Sequence, residues 1–163
     1  MSPADAASFR DALARFASGV TVLTARGADG ADHGMTVSAF SSLSLHPPLV
    51  LACLDTAATL LPPLRTAGWF GASILARGQE AVSARFADQA LMRFEGVPCT
   101  RAAEGPALLD GALAHLVCRV VAVHEGGDHV IVVGEVRHAV SHDGEPLIYF
   151  KRRYAGLTRA DDA

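Results

Sequence analysis

Between Gly34 and Asp55 the side chains alternate with period two. Odd positions carry Met35, Val37, Ala39, Ser41, Leu43 and Leu45; even positions carry Thr36, Ser38, Phe40, Ser42, Ser44 and His46. The alternation predicts a half-buried strand, bulged or broken near Ser41-Ser42. The even face is a row of hydroxyls with one phenyl ring and no Lys, Arg, Asp or Glu. Faces turned to water normally carry charge, so something covers this one. A flat polar or phosphate-bearing ligand would suit it. A second subunit, or packing against a neighbouring loop, would serve equally well.

The remaining pattern is one of short strands and few helices. Ser2 to Phe16 opens on Ser-Pro and spaces Phe9, Leu13 and Phe16 at i, i+4 and i+7, which predicts an amphipathic helix. Gly19 ends it. Val20 to Thr24 is a strand that passes through the turn Gly27 to Gly34 into the alternating stretch. His46-Pro47-Pro48 breaks that run. Leu49 to Leu54 is apolar at every position, which predicts burial on both faces. Asp55 to Ala67 holds Pro62-Pro63 in a helical turn or short helix. Trp69 to Leu75 is a strand, and Gly78 to Ala87 a helix with Val82 and Phe86 on one face and Ser83 and Arg85 off it. Asp88 to Gly111 has no regular pattern. Ala112 to His124 and Val130 to Val140, both β-branched, flank Glu125-Gly126-Gly127-Asp128-His129 as a long hairpin. Asp143-Gly144 is a turn before the strand Pro146 to Phe150, and Arg159 to Ala163 reads as a frayed tail.

No repeat, low-complexity tract or linker divides residues 1–163. They are expected to form one mainly β domain, core 9–157, shaped as a closed or nearly closed antiparallel barrel. Half of the residues are hydrophobic and mean hydropathy is +0.27, which calls for a large core, a buried subunit interface, or both. A net charge of -3 offers no general attraction to nucleic acid or an anionic membrane. Cys53, Cys99 and Cys118 lack CxxC spacing, so neither a disulfide framework nor a zinc site is expected; Cys53 and Cys118 sit in apolar runs as small core residues. The histidines show no metal-ligand spacing. No stretch approaches the roughly 20 apolar residues of a membrane span, and a cytoplasmic location is the expectation.

Four pieces resemble, in order, the flavin reductase-like family of short-chain FMN or FAD reductases. They are SGVTVLTA after the first helix, GMTVSAFSSLSLHPPLVLACLD, FGASILARGQEAVSARFA, and GGDHVIVVGEV with PLIYFKRRYAGL, together spanning Phe9 to Leu157. The resemblance implies an FMN-binding split β-barrel of Greek-key type with a few peripheral helices. It implies that Met35, Thr36, Val37 and Ser38 lie along the flavin, with Ser42 beside them. Cys53, Asp55 and Thr59, on and after the apolar strand, would reach the ribityl or phosphate groups. Ala72, Ser73, Ile74 and Leu75 match a segment that often reads VNVL, Ser73 standing where the family has an amide. Gln79, Ser83, Arg85 and Phe86 match the helix at the phosphate end, where Arg85 would give a charge-assisted bond. By residue type alone, Arg85 is equally an ordinary solvated helix residue.

Gly127-Asp128-His129 matches a GDH element that the family associates with NAD(P)H and the flavin edge. The resemblance makes His129 the catalytic candidate and Asp128 its neighbour at the NAD(P)H site; a lone loop histidine is by itself equally a surface residue. Tyr154 would stand near both flavin and nicotinamide, while Lys151 to Arg153 would face either the pyrophosphate or solvent. The implied reaction is hydride transfer from NADH or NADPH to FMN or FAD. The reacting rings would be held about 3–3.5 Å apart, so that catalysis is mostly positioning. No GxGxxG follows a strand, so no Rossmann domain is expected. A homodimer is implied, as is a monooxygenase partner fed by diffusible reduced flavin, with no metal, nucleic acid or membrane. The alternative is a non-catalytic flavin-binding split barrel, a carrier or redox sensor.

Overall fold

A computed structural model describes residues 5–88 and 93–158. The chain runs through α1 (Ala6–Leu13), β1 (Ser18–Gly19), β2 (Thr21–Arg26), β3 (Asp32–Val37), β4 (Phe40–Leu45), β5 (Pro48–Asp55), α2 (Leu61–Ala67) and β6 (Trp69–Ile74). It continues through α3 (Glu80–Ala87), β7 (Cys99–Arg101), β8 (Ala107–Leu109), β9 (Ala114–Gly126), β10 (His129–Ser141), β11 (Ile148–Phe150) and β12 (Arg153–Ala155).

Seven strands form one antiparallel sheet in the order β3-β2-β6-β9-β10-β5-β4. Its two edges, β3 and β4, are consecutive in the chain and separated only by Ser38 and Ala39. Val37 from one edge packs in the same core cluster as Val50, Ala52 and Leu54 near the other, so the sheet wraps around its own interior. The edges share no ladder. The barrel therefore stays split between β3 and β4, where full closure was one of the two expectations. β1, β11 and β12 make a separate small sheet, and β7 pairs with β8.

Apolar burial holds the body together. Phe70, Leu23, Leu60 and Leu64 are fully buried in the larger cluster, while Phe86, Leu75, Leu109 and Leu147 fill a second one against α3. Each such side chain contributes about 1.5–3 kcal/mol relative to exposure. Gly134 lies at a register shift between β9 and β10. A Cβ there would come within 2.4 Å of the Phe70 ring, so only glycine lets the backbone cross the aromatic so closely.

Several expectations change. The alternation breaks at Ser38–Ala39, with the bulge falling between Ser42 and Ser44, because the chain must leave one edge of the sheet and start the other. Beyond that break the apolar face is open: Leu43 is 48% and Leu45 76% exposed. Leu49 to Leu54 is buried on one face only, through Val50, Ala52 and Leu54; Leu49, Leu51 and Cys53 are half-buried. An antiparallel strand in a one-layer wall has a single interior side. Cys118 is buried as expected, and burial pushes its thiol up to about 12.

The expected helix start at Ser2-Pro3 lies outside the described residues. Asp5 caps α1, accepting the Ser8 N–H at 2.7 Å, and the helix stops at Leu13, short of Phe16. No residue of α1 is buried. In α2, Pro62 and Pro63 fall in the first turn, where the missing N–H costs nothing. The patternless stretch contains the short β7–β8 hairpin, and the expected tail Arg159 to Ala163 lies outside the described residues.

Candidate functional site

Two adjoining pockets open where β3 meets α3. The first, ≈150 Å³, is lined by Thr36, Ser38, Ser83, Tyr149 and Tyr154. The second, ≈100 Å³, is lined by Met35, Thr36, Thr59, Phe86, Ala87 and Arg93. Thr36 and Ala87 belong to both and mark the seam between them.

The local folding that assembles this groove follows from spacing. Val37 turns into the core, so Thr36 on the strand's other face turns toward α3. Ser83 and Phe86, three residues apart on α3, share its inward face. Ser83 joins three elements. Its carbonyl accepts the Thr36 hydroxyl at 2.7 Å, and its Oγ accepts the Tyr154 hydroxyl at 3.0 Å. Because that Oγ is used as an acceptor, its own proton stays available for donation. The Tyr149 and Tyr154 rings, opposite each other across β11–β12, meet edge to face at 5.7 Å between centroids. Phe86 meets Phe94 in the same manner at 5.0 Å.

Among the described residues no acidic side chain lines either pocket, and one cation does. Arg93 donates to the carbonyls of Gly34 and Asp88. An uncharged trough of hydroxyls between aromatic walls, with a guanidinium at one end, suits a flat polar ring system carrying a phosphate. By donor chemistry the residues present fit a flavin nucleotide.

The expected residues divide. Met35, Thr36, Ser38, Thr59, Ser83, Phe86 and Tyr154 come together at the two pockets. Val37, Ala72 and Leu75 are core residues. Ser73 is also buried, and its Oγ accepts the Leu109 N–H at 3.0 Å, tying β6 to β8. Ile74 and Cys53 are half-buried and Ser42 exposed; none of the three lines either pocket. Gln79 accepts the Ala76 N–H and donates to the Asp110 carbonyl at 3.0 Å. Arg85 donates to the Glu95 carbonyl and stands outside both linings. Asp55 accepts the Ala57 N–H at 2.8 Å, which shapes the loop that carries Thr59.

That loop also connects the groove to His129, which pairs with Asp55 at the mouth of β10. The Asp128 carbonyl accepts both the N–H and the hydroxyl of Thr56. His129 Nδ1 and Asp128 Oδ1 are 2.7 Å apart, and this contact holds the Asp128 carboxyl below its usual range. Sequence reasoning missed Tyr149 and Arg93. Tyr149 was accessible, since it pairs with Tyr154 across a two-residue turn. Arg93 sits in the patternless stretch and carried no signal.

A family model described as "Flavin reductase like domain" matches residues 13–158. The reductase component of 4-hydroxyphenylacetate 3-monooxygenase from Thermus thermophilus is 48% identical, the match covering 92% of this chain and 95% of that one. An NADH-dependent flavin reductase from a Rhodococcus species is 45% identical over 91% of this chain and 84% of its own. Among solved structures, the NADH:FAD oxidoreductase SgcE6 of Streptomyces globisporus, in complex with NAD and FAD fragments, superposes with a TM-score of 0.93. It is 35% identical and covers 99% of this chain and 98% of that one.

Proposed function

Since this chain belongs to the flavin reductase-like family, we propose that its hydroxyl-lined groove receives FMN or FAD. The protein then acts as an NADH-dependent flavin reductase, an oxidoreductase supplying reduced flavin to a partner monooxygenase. The observation that carries this reading is the chargeless trough around Thr36 and Ser83, walled by Tyr149 and Tyr154 and ended by Arg93.

The bound flavin supplies the acceptor for a hydride from the reduced nicotinamide. The chain supplies positioning and polarity. Ser38 and Ser83 present hydroxyls to the ring edge, and such preorganised donors stabilise negative charge as it develops there; Thr36, whose proton goes to the Ser83 carbonyl, fixes β3 against α3. Arg93 and Thr59 lie at the end suited to a phosphate. Tyr154, fixed to Ser83, limits water at the ring face. Asp128 orients the His129 imidazole at the neighbouring strand mouth, which makes His129 the group to meet the nicotinamide. No nucleophile or paired carboxylate is needed.

A second copy of the chain is the natural cover for the outward apolar surface, where Phe9 is 60%, Phe16 74% and Leu45 76% exposed. No helix among the described residues is long and apolar enough to cross a membrane, and a cytoplasmic site of action accords with the reading.

The test follows NADH absorbance after mixing the protein with excess FMN or FAD. Oxidation well above the flavin-only rate is expected, and no excess with any nucleotide and flavin pair overturns the proposal. His129→Ala should lower the hydride-transfer rate more than it weakens flavin binding. Equal losses would remove its special role.

A further inference from the structure

The outer wall of the barrel carries a second cleft, set up by strand alternation. Leu23, Ala25 and Phe70 point into the core, so Arg26 on β2 and Trp69 on β6 face outward. Thr24 pairs with Gly71, and the same antiparallel register carried two residues further brings Arg26 level with Trp69. The β7–β8 hairpin covers the first of these pairs, where the Thr24 hydroxyl donates to the Ala107 carbonyl at 2.6 Å. The hairpin ends in a turn closed by the Gly105 N–H on the Ala102 carbonyl. Between that turn, the end of β2 and the corner from α2 to β6 lies a cleft of ≈310 Å³, lined by Arg26, Thr66, Trp69, Glu104 and Gly105 among others. It shares no residue with either pocket of the groove. Ordinary ligand pockets span about 300–1,000 Å³, so this one suits a single ring with a short side chain.

Most polar groups here are already used. The Thr66 hydroxyl donates to the Pro62 carbonyl at 3.1 Å. Glu104 Oε1 and His138 Nε2 are 2.9 Å apart, which fixes the carboxylate and leaves Oε2 as an open acceptor. Arg26 is the exception. Its cross-strand neighbour on β3 is Asp32, but that carboxylate is held by Arg101 at 2.6 Å. Arg101 also donates to the Gly105 carbonyl at 2.7 Å, so the competing cation belongs to the hairpin itself. Half-buried Arg26 is left with no hydrogen-bond or ion-pair partner among the described residues. Its position is nonetheless defined. A Cβ on Gly105 would lie 3.7 Å from Arg26 Cδ, and one on Gly30 3.5 Å from Arg26 Nη2.

An unpaired guanidinium, an indole and a carboxylate with one open oxygen define their complement. Arginine grips a carboxylate in a planar, two-pronged fashion, and an indole packs against another flat ring. The open Glu104 oxygen accepts from a hydroxyl, and its charge in the same space disfavours a phosphate dianion. We propose that this cleft binds a small aromatic carboxylate with a hydrogen-bond donor at its far end. The ring lies against Trp69, the carboxylate on Arg26 and the donor on Glu104. The site is separate from the flavin groove, and the inference does not rest on the flavin reductase reading.

Trp69 is the single tryptophan of the chain, so tryptophan fluorescence reports on this cleft directly. The intact protein, without added flavin or NADH, is titrated with 3-(4-hydroxyphenyl)propionate. A saturable change in emission with a Kd below about 1 mM is expected. Tyramine lacks the carboxylate and should bind about tenfold more weakly; 3-phenylpropionate lacks the hydroxyl and should bind about threefold more weakly. Arg26→Gln should weaken the acid about tenfold at unchanged Tm without altering the affinity for tyramine. Arg26→Lys, which keeps the charge, should recover part of that loss. Glu104→Gln should shrink the difference between the two acids. Calorimetric titration with and without saturating FMN should give the same Kd for the acid.

No saturable change at millimolar acid overturns the inference. So does equal affinity for tyramine, or a folded Arg26→Gln variant that binds the acid as wild type does. If both Arg26 variants unfold, the tyramine comparison on wild type decides. Binding that FMN competes away would place the acid in the flavin groove and overturn the separate site. A failure to oxidise NADH would count against the flavin reductase reading and leave these titrations untouched.

Discussion

Two of the hairpins that close on two-residue turns reach left-handed backbone with different residues. β9–β10 turns at Gly127-Asp128, where Gly127 takes φ 80° without steric penalty. β11–β12 turns at Lys151-Arg152, two long cations in the same left-handed region. The first hairpin has strands of 13 residues and runs through the centre of the main sheet. The second has strands of three residues and stands at the rim of the groove. A long ladder tolerates a poor turn more easily than a short one, yet the poor turn is on the short ladder. Glycine relieves the strain at β9–β10; at β11–β12 the tip is held instead by the Lys151 N–H bond to the Ala14 carbonyl.

The contrast can be broken at the core end first. Phe70→Ala removes the ring that Gly134 of β10 crosses, leaving a cavity under the long hairpin. A loss of about 3–5 kcal/mol is expected in urea unfolding. A loss under about 1 kcal/mol would mean that the long hairpin is not seated on this core. At the rim, Tyr154→Phe removes only the bond to Ser83. It should cost about 1 kcal/mol in the same assay while measurably weakening flavin binding. A cost equal to that of Phe70→Ala would make the rim part of the folding core and erase the comparison.

The smallest effect concerns the glycine turn itself. The Asp128 carboxyl lies below its ordinary value because His129 contacts it. A lowered folded-state value means that its contribution is in place above the ordinary carboxylate midpoint, about pH 3.9. That contribution is lost as pH falls through the lower folded value. The carboxyl is fully exposed, so the midpoint is read by carboxyl NMR titration rather than by unfolding. His129→Ala should return it toward the ordinary value, and an unmoved midpoint would remove the pairing.

Much of the groove was legible because it lies in regular elements. Thr36 and Ser38 stood out as uncharged hydroxyls in an alternating strand, and Phe86 as part of the apolar face of a short helix; Ser83, expected off that face, is instead buried beside Phe86. Ser73 and Arg85 show the limit of that legibility. A hydroxyl on a strand and a cation on a helix advertise chemistry, but whether they face a pocket depends on which neighbour arrives first. Leu109 claims Ser73, and the Glu95 carbonyl takes Arg85. Leu49 to Leu54 was misread for a related reason. An unbroken apolar run marks burial, and it cannot say whether the second layer belongs to the same chain.

By itself, then, the sequence determined the succession of strands, the breaks at His46-Pro47 and Gly127-Asp128, and the chargeless character of the ribbon after Gly34. These are local properties, set by period, side-chain branching and the few residues that tolerate tight turns. Tertiary structure decided that the barrel stays split at Ser38–Ala39, that Tyr154 latches onto Ser83, and that Arg93 rather than Arg85 borders the groove. The last two join residues distant in the chain, and only the wrapping of the sheet around Phe70 and Leu23 brings them within reach.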